Sequence, residues 1–219
     1  SAINGSIDVT PTLNGCAGTA VNYVITVNPT PSITAPSNQT VCPGASMSAT
    51  NLSSTPIGAT LAWTNSNTDI GLGSIGSGNV PAFFTTNSTT SAINGSIDVT
   101  PTLNGCAGSA VNYLITVNPT PLVSINGNLN ICTGDQTTLY AIGTSGTGIY
   151  SFSWNTSAVT SSITISPTTN TTYSVYLTDA VGCVSSTSSA QVNVISFVTP
   201  VITISSPNPA EIDCNSTYA

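Results

Sequence analysis

Residues 1–31 of the chain reappear at 91–121. The stretches SAINGSIDVTPTLNGCAGTAVNYVITVNPTP and SAINGSIDVTPTLNGCAGSAVNYLITVNPTP differ only at Thr19/Ser109 and Val24/Leu114, at a constant offset of 90 residues. A period that long has the size of a small domain, not of a solenoid repeat, so the chain is expected to fold as serial units and not around one core. A weaker copy is visible through its landmarks. After Pro31 come Val41-Cys42-Pro43-Gly44, Trp63 and Cys106; after Pro121 come Ile131-Cys132-Thr133-Gly134, Trp154 and Cys183. Proline to first cysteine is 11 residues in both, and first cysteine to tryptophan is 21 and 22. Tryptophan to second cysteine is 43 in one and 29 in the other, which places about 14 extra residues within 65–81, where the glycine-rich run 71–78 predicts a loop excursion from the domain. A third opening, Val201-Ile202-Thr203-Ile204 followed by Cys214, comes after Pro200. The expected organisation is therefore the tail of one repeat (1–31), two complete repeats (32–121 and 122–199) and the start of another (200–219), a slice of something longer. The joints Asn28-Pro29-Thr30-Pro31 and Asn118-Pro119-Thr120-Pro121 are short and proline-fixed, hence stiff.

Within the repeats, Val111, Tyr113, Ile115 and Val117 alternate with Asn112, Leu114 and Thr116, and Tyr173, Val175 and Leu177 alternate with Ser174, Tyr176 and Thr178. One apolar and one mostly polar face is the period-2 mark of antiparallel strands covering a core on one side. Further strands are expected at 137–143, 149–155, 162–166 and 184–195. No window shows helical periodicity, and about seven short strands in some 80–90 residues give a two-sheet sandwich of the immunoglobulin kind. The fold class is thus all-β, with tandem sandwiches forming an elongated rod. Trp63 and Trp154 are expected as core anchors, the competing reading being exposed carbohydrate platforms.

The chain has no Lys, Arg or His and a net charge of -7. Without cations it cannot neutralise phosphates or anionic headgroups, which excludes nucleic-acid and membrane-surface binding. Imidazole bases, Schiff-base amines and charged oxyanion clamps are missing too, so an enzyme is not expected. The longest strongly apolar stretch, 195–204, is broken by Ser196, Thr199 and Pro200 and is about half of what a membrane helix needs.

Six cysteines in small, charge-poor repeats point to an oxidising compartment. The register of the copies selects Cys42 with Cys106 and Cys132 with Cys183, each tying the second strand of a repeat to its last hairpin. Cys16 and Cys214 then lack partners because their mates would lie outside 1–219. With no CxxC pair and no His, zinc is not expected. Asp8 and Asp98 are outward, solvated copies of one another; Asp135 and Asp179 read as turn residues and are the places to look for calcium, although one Asp per loop is thin for that ion. No metal or cofactor is expected.

The segment from Ile131 to Cys183 carries C-x-G-D before a strand, a mid-domain Trp, S-P-T-T-x-T-T-Y-x-V and T-D-x-x-G-C. It resembles the PKD-like and immunoglobulin-like repeats of giant Bacteroidota cell-surface adhesins, and 32–121 is more loosely similar through V-C-P-G, Trp63 and N-G-C-x-G. That resemblance implies an extracellular, cell-surface filament of the gliding-motility adhesin type, exported by the type IX route. Three functions are open at this point: a mechanical spacer whose partners are the neighbouring repeats; repeats that themselves bind surface polysaccharide through outward Ser, Thr, Asn and Tyr; or self-association with other copies into a fibre.

Overall fold

The computed structural model describes residues 1–196, so the expected repeat start at 200–219 with Cys214 lies outside the described residues. Alternating β-branched and polar residues produce strands almost throughout. They are β1 (Ile3–Val9), β2 (Thr12–Leu13), β3 (Cys16–Ala17) and β4 (Val21–Val27). Next come β5 (Ser32–Ile33), β6 (Gln39–Val41), β7 (Ser46–Met47), β8 (Ser54–Thr55), β9 (Thr60–Asn65), β10 (Ile75–Ser77), β11 (Phe83–Phe84), β12 (Ile93–Leu103), β13 (Cys106–Ala107) and β14 (Val111–Val117). The last group is β15 (Leu122–Gly127), β16 (Asn130–Cys132), β17 (Thr137–Thr144), β18 (Tyr150–Trp154), β19 (Ser162–Ile165), β20 (Thr171–Asp179) and β21 (Ser188–Ile195).

Two sandwiches with the same plan result. In the first, the sheet β10-β9-β12-β14-β6 faces the pairs β5-β8 and β7-β11; in the second, β16-β21-β20-β18 faces β15-β17-β19. All pairings are antiparallel except one in each sandwich, where a short early strand runs parallel to the last strand: Val41 beside Val117, and Cys132 beside Ile195. Sheets of the C-F-G kind opposed by A-B-E strands define tandem immunoglobulin-like sandwiches. Each has its own core. Leu61, Trp63, Ile97, Val99, Tyr113, Ile115 and Val117 fill the first; Leu139, Trp154, Ile163, Tyr173, Val175 and Val192 fill the second. Both tryptophans are buried, at 5% and 3% exposure, so neither is a carbohydrate platform. Trp154 donates its indole N–H to the Thr160 carbonyl at 2.9 Å.

The glycine-rich segment of the first sandwich is not a loop excursion. Residues 65–81 form a 3-10 turn, Thr68–Ile70, and the edge strand β10, and they drive Ile70, Leu72 and Val80 into the core at 0–3% exposure. Buried Asn65 holds the turn, donating from Nδ2 to the Asn67 and Leu72 carbonyls at 2.8 and 2.9 Å. Two glycines clear the space: a Cβ at Gly76 would lie 2.0 Å from the Trp63 ring, and one at Gly95 would lie 2.3 Å from Ile70 Cδ1. Glycine is there for close packing, not for looseness.

β1 and β4 pair in the register of β12 and β14, Ile3 with Val27 as Ile93 with Val117. Yet Ile7, Tyr23 and Ile25 are 46–69% exposed, whereas their copies Ile97, Tyr113 and Ile115 are at most 2% exposed. The same residues make the same hairpin in both places. Burial comes from the opposing strands, which among the described residues only the second copy has.

Candidate functional site

The feature that joins the two sandwiches is covalent, and it differs from the expected cysteine pairing. Cys42 is bonded to Cys183, with Cα atoms 5.4 Å apart and a sequence separation of 141. Cys106 and Cys132, the expected partners of those two, are reduced, as is exposed Cys16. Strand length explains the correction. Val41 lies beside Val117, which pairs with Ile93 at one end of β12, while Cys106 pairs with Leu103 at the other end. Ten residues of strand at about 3.3 Å each put roughly 30 Å between Cys42 and Cys106, where a disulfide spans a Cα separation below about 7 Å. Cys132 and Cys183 are kept apart in the same way, one beside Ile195 and the other at the Asp179 end of β20.

Cys42 sits where the first sandwich hands over to the joint. Val41 accepts from the Asn118 N–H at 2.9 Å, so the cysteine starts beside Asn118-Pro119-Thr120-Pro121. The turn after it needs a left-handed residue, supplied by Gly44 at φ +79. Thr85, 1% exposed, fixes that turn: its hydroxyl donates to the Cys42 carbonyl at 2.7 Å and accepts from the Ala45 N–H at 3.1 Å. Its own carbonyl accepts from Gly44 at 2.7 Å.

Cys183 is held from the other side by Asp179, which is buried at the end of β20. Asp179 Oδ1 accepts from the N–H groups of Cys183 at 2.9 Å and Val181 at 3.1 Å, and Oδ2 accepts from Thr147 at 3.0 Å. Burial works to raise its pKa, but the hydrogen bonds from Cys183, Thr147 and Val181 outweigh it and hold the carboxyl below its ordinary value. Asp179 thereby ties the cysteine loop to the 145–148 loop, which reaches back to the joint. Ser145 Oγ donates to the Thr90 carbonyl at 3.4 Å, and Gly146 leaves no room for a Cβ, which would lie 2.9 Å from both Pro121 Cβ and Asp179 Oδ2.

The other sequence candidates do not gather here. Asp135 is an exposed turn residue whose N–H donates to the Cys132 carbonyl, and Asp98 accepts from Asn112 on an outward face, as Asp8 does from Asn22. Among the described residues no three Cys, Asp or Glu side chains converge for a metal ion, and no helix is long and apolar enough to cross a membrane. What sequence reasoning missed is the covalent bond across the joint. Its one usable signal was the length of the alternating arm between Cys106 and Val117, too long for a cysteine at each end to meet inside one sandwich.

No family model and no curated protein matches the sequence. Among solved structures, the first eight immunoglobulin domains of Down Syndrome Cell Adhesion Molecule align at a TM-score of 0.45 and 12% identity, over 88% of this chain and 27% of that one. Dpr2 Ig1-Ig2, from a complex with DIP-Theta Ig1-Ig3, aligns at 0.38 and 11%, over 89% and 73%. Fibronectin(III)-like modules of Clostridium thermocellum CbhA align at 0.32 and 15%, over 76% and 94%. At these scores the sheet order described above carries the fold assignment.

Proposed function

We propose that this chain is a load-bearing spacer: a run of repeats from an extracellular, cell-surface adhesion filament, of the type that holds a gripping end away from the cell. The observation that carries this reading is the disulfide between Cys42 and Cys183, which locks one sandwich to the next across a proline joint. A bond placed there lies outside both cores and removes freedom between them, which is what a stalk requires. The absence of Lys, Arg and His fits the same role, since stability that uses no ion pairs is insensitive to external salt, and trypsin has no site to cut. The resemblance of 131–183 to repeats of Bacteroidota adhesins points to the same setting, with type IX export and gliding motility as its finer form. Trp63 and Trp154, as core residues, offer a polysaccharide no platform, which leaves that reading to outward polar residues and tyrosines.

Small-angle X-ray scattering of the oxidised chain tests the spacer reading. An extended array has a radius of gyration well above the about 17 Å of a compact domain of this length. A value near that figure, or one indifferent to reduction of the disulfide, overturns the reading.

A further inference from the structure

Among the described residues three cysteines remain reduced, and two of them are presented as the bonded pair is. Cys132 repeats the setting of Cys42. Cys132 ends, and Cys42 directly follows, a short strand parallel to the last strand of its sandwich, and each is followed by a turn with a left-handed glycine, Gly44 at φ +79 and Gly134 at φ +93. In both, the cysteine carbonyl accepts from the residue three further on, Ala45 at 3.3 Å and Asp135 at 3.0 Å. Cys106 repeats the setting of Cys183, just after a left-handed glycine in the turn that leads into the last long strand, Gly105 at φ +82 and Gly182 at φ +88. The hairpin carrying Cys106 also abuts the preceding joint, since a Cβ at Gly108 would lie 1.9 Å from the Pro31 carbonyl oxygen. The loops carrying Gly146 and Cys183 stand in the same relation to Pro121. Cys106 and Cys132 are both partly exposed.

We infer that the disulfide is a repeating device: the first cysteine of each repeat bonds the hairpin cysteine of the repeat that follows, so that Cys106 is the acceptor for a preceding repeat and Cys132 the donor to a following one. Cys16 has the sequence position of Cys106 one period earlier and belongs to the same class. Each staple forms by thiol–disulfide exchange. The two cysteine thiols give up two protons and two electrons to a small-molecule or enzyme disulfide, which leaves as two thiols. The inference rests on the spacer reading for its setting but not for its chemistry.

The decisive experiment inserts one additional copy of residues 32–121 after Pro121 in the full chain. The inserted copy carries Ser109→Asn, so that its Cys106 peptide is heavier than both the unmarked Cys106 peptide and the Cys16 peptide, which carries Thr19. After refolding with oxidised glutathione, free thiols are alkylated in denaturant without reduction, and the disulfide-linked peptides from a chymotryptic digest are read by mass spectrometry. The expected map joins a Cys42 peptide to the heavy Cys106 peptide and another to Cys183, with the unmarked Cys106 alkylated in essentially every molecule. An unmarked Cys106 bonded to Cys42, or the heavy Cys106 recovered alkylated while Cys42–Cys183 is intact, overturns the inference. Scattering on the same sample separates the two proposals: an extended particle without the new bond sinks the staple alone, whereas a compact particle sinks the spacer reading.

Discussion

Cys42→Ser removes a sulfur from the first sandwich, and the second should feel it as strongly. While the bond exists and the first sandwich stays folded, Cys42 and Pro121 are held close together. The second sandwich then unfolds as a closed loop of roughly 60 residues between Pro121 and Cys183. On the chain-entropy model such a loop raises stability by about 4 kcal/mol, and the roughly 80-residue loop from Cys42 to Pro121 gives the first sandwich nearly the same, because the dependence is logarithmic. For domains of this size 1 kcal/mol corresponds to about 4–8 °C, so removing the bond lowers both melting temperatures by something on the order of 15–30 °C. Each sandwich holds one tryptophan, so a Trp63→Phe background reports the second alone by fluorescence and a Trp154→Phe background the first. In thermal scans without reductant, Cys42→Ser and Cys183→Ser should lower both transitions equally and match the reduced parent chain. A Cys42→Ser variant that weakens the first sandwich while leaving the second unchanged would refute the reasoning.

Asp179→Asn gives the second sandwich a different pH response. The carboxyl's pKa is depressed by folding below the ordinary 3.8, so its contribution is complete above that value and is lost as pH falls through the lower folded one. Urea midpoints of the parent should therefore decline in acid below about pH 4, and those of the variant should be lower at neutral pH and flatter in that window. Gly76→Ala drives a methyl into the Trp63 ring and should cost the first sandwich about 3 kcal/mol in urea unfolding, with the second untouched. Ile70→Ala empties a fully buried site and should cost about 3–4 kcal/mol, where a loop residue would cost almost nothing. Melting temperatures between dilute and 1 M sodium chloride should agree within about 2 °C, since there are no cationic side chains to be screened from the acids.

The strands were legible wherever one face had to be apolar. The alternations at 111–117 and 173–177 became β14 and β20 with the expected residues inward, and 137–143, 149–155 and 162–166 became β17, β18 and β19 within a residue or two. The 65–81 segment was misread because glycine and serine suggest a loop, when in fact Gly76 accommodates the Trp63 indole and the segment sends Ile70 into the core against Gly95 of β12. That information is tertiary, and no local pattern holds it. The cysteine pairing failed for a related reason. Register between copies identifies equivalent positions, but the parallel pairing of three-residue β6 with β14, which sets Cys42 at the far end from Cys106, has almost no sequence signal. The repeat copies did show that the sulfurs come in two classes. They could not show that the classes meet across a joint.

Drawn from its two ends, the chain passes tension from Cys42 straight to Cys183 through sulfur, so the 141 residues of separation between them form a bypassed ring. At about 3.5 Å per extended residue, that ring conceals on the order of 490 Å of contour length, which no pull can release while the bond stands, even with both cores melted. Reductant, not force, decides whether that length is released.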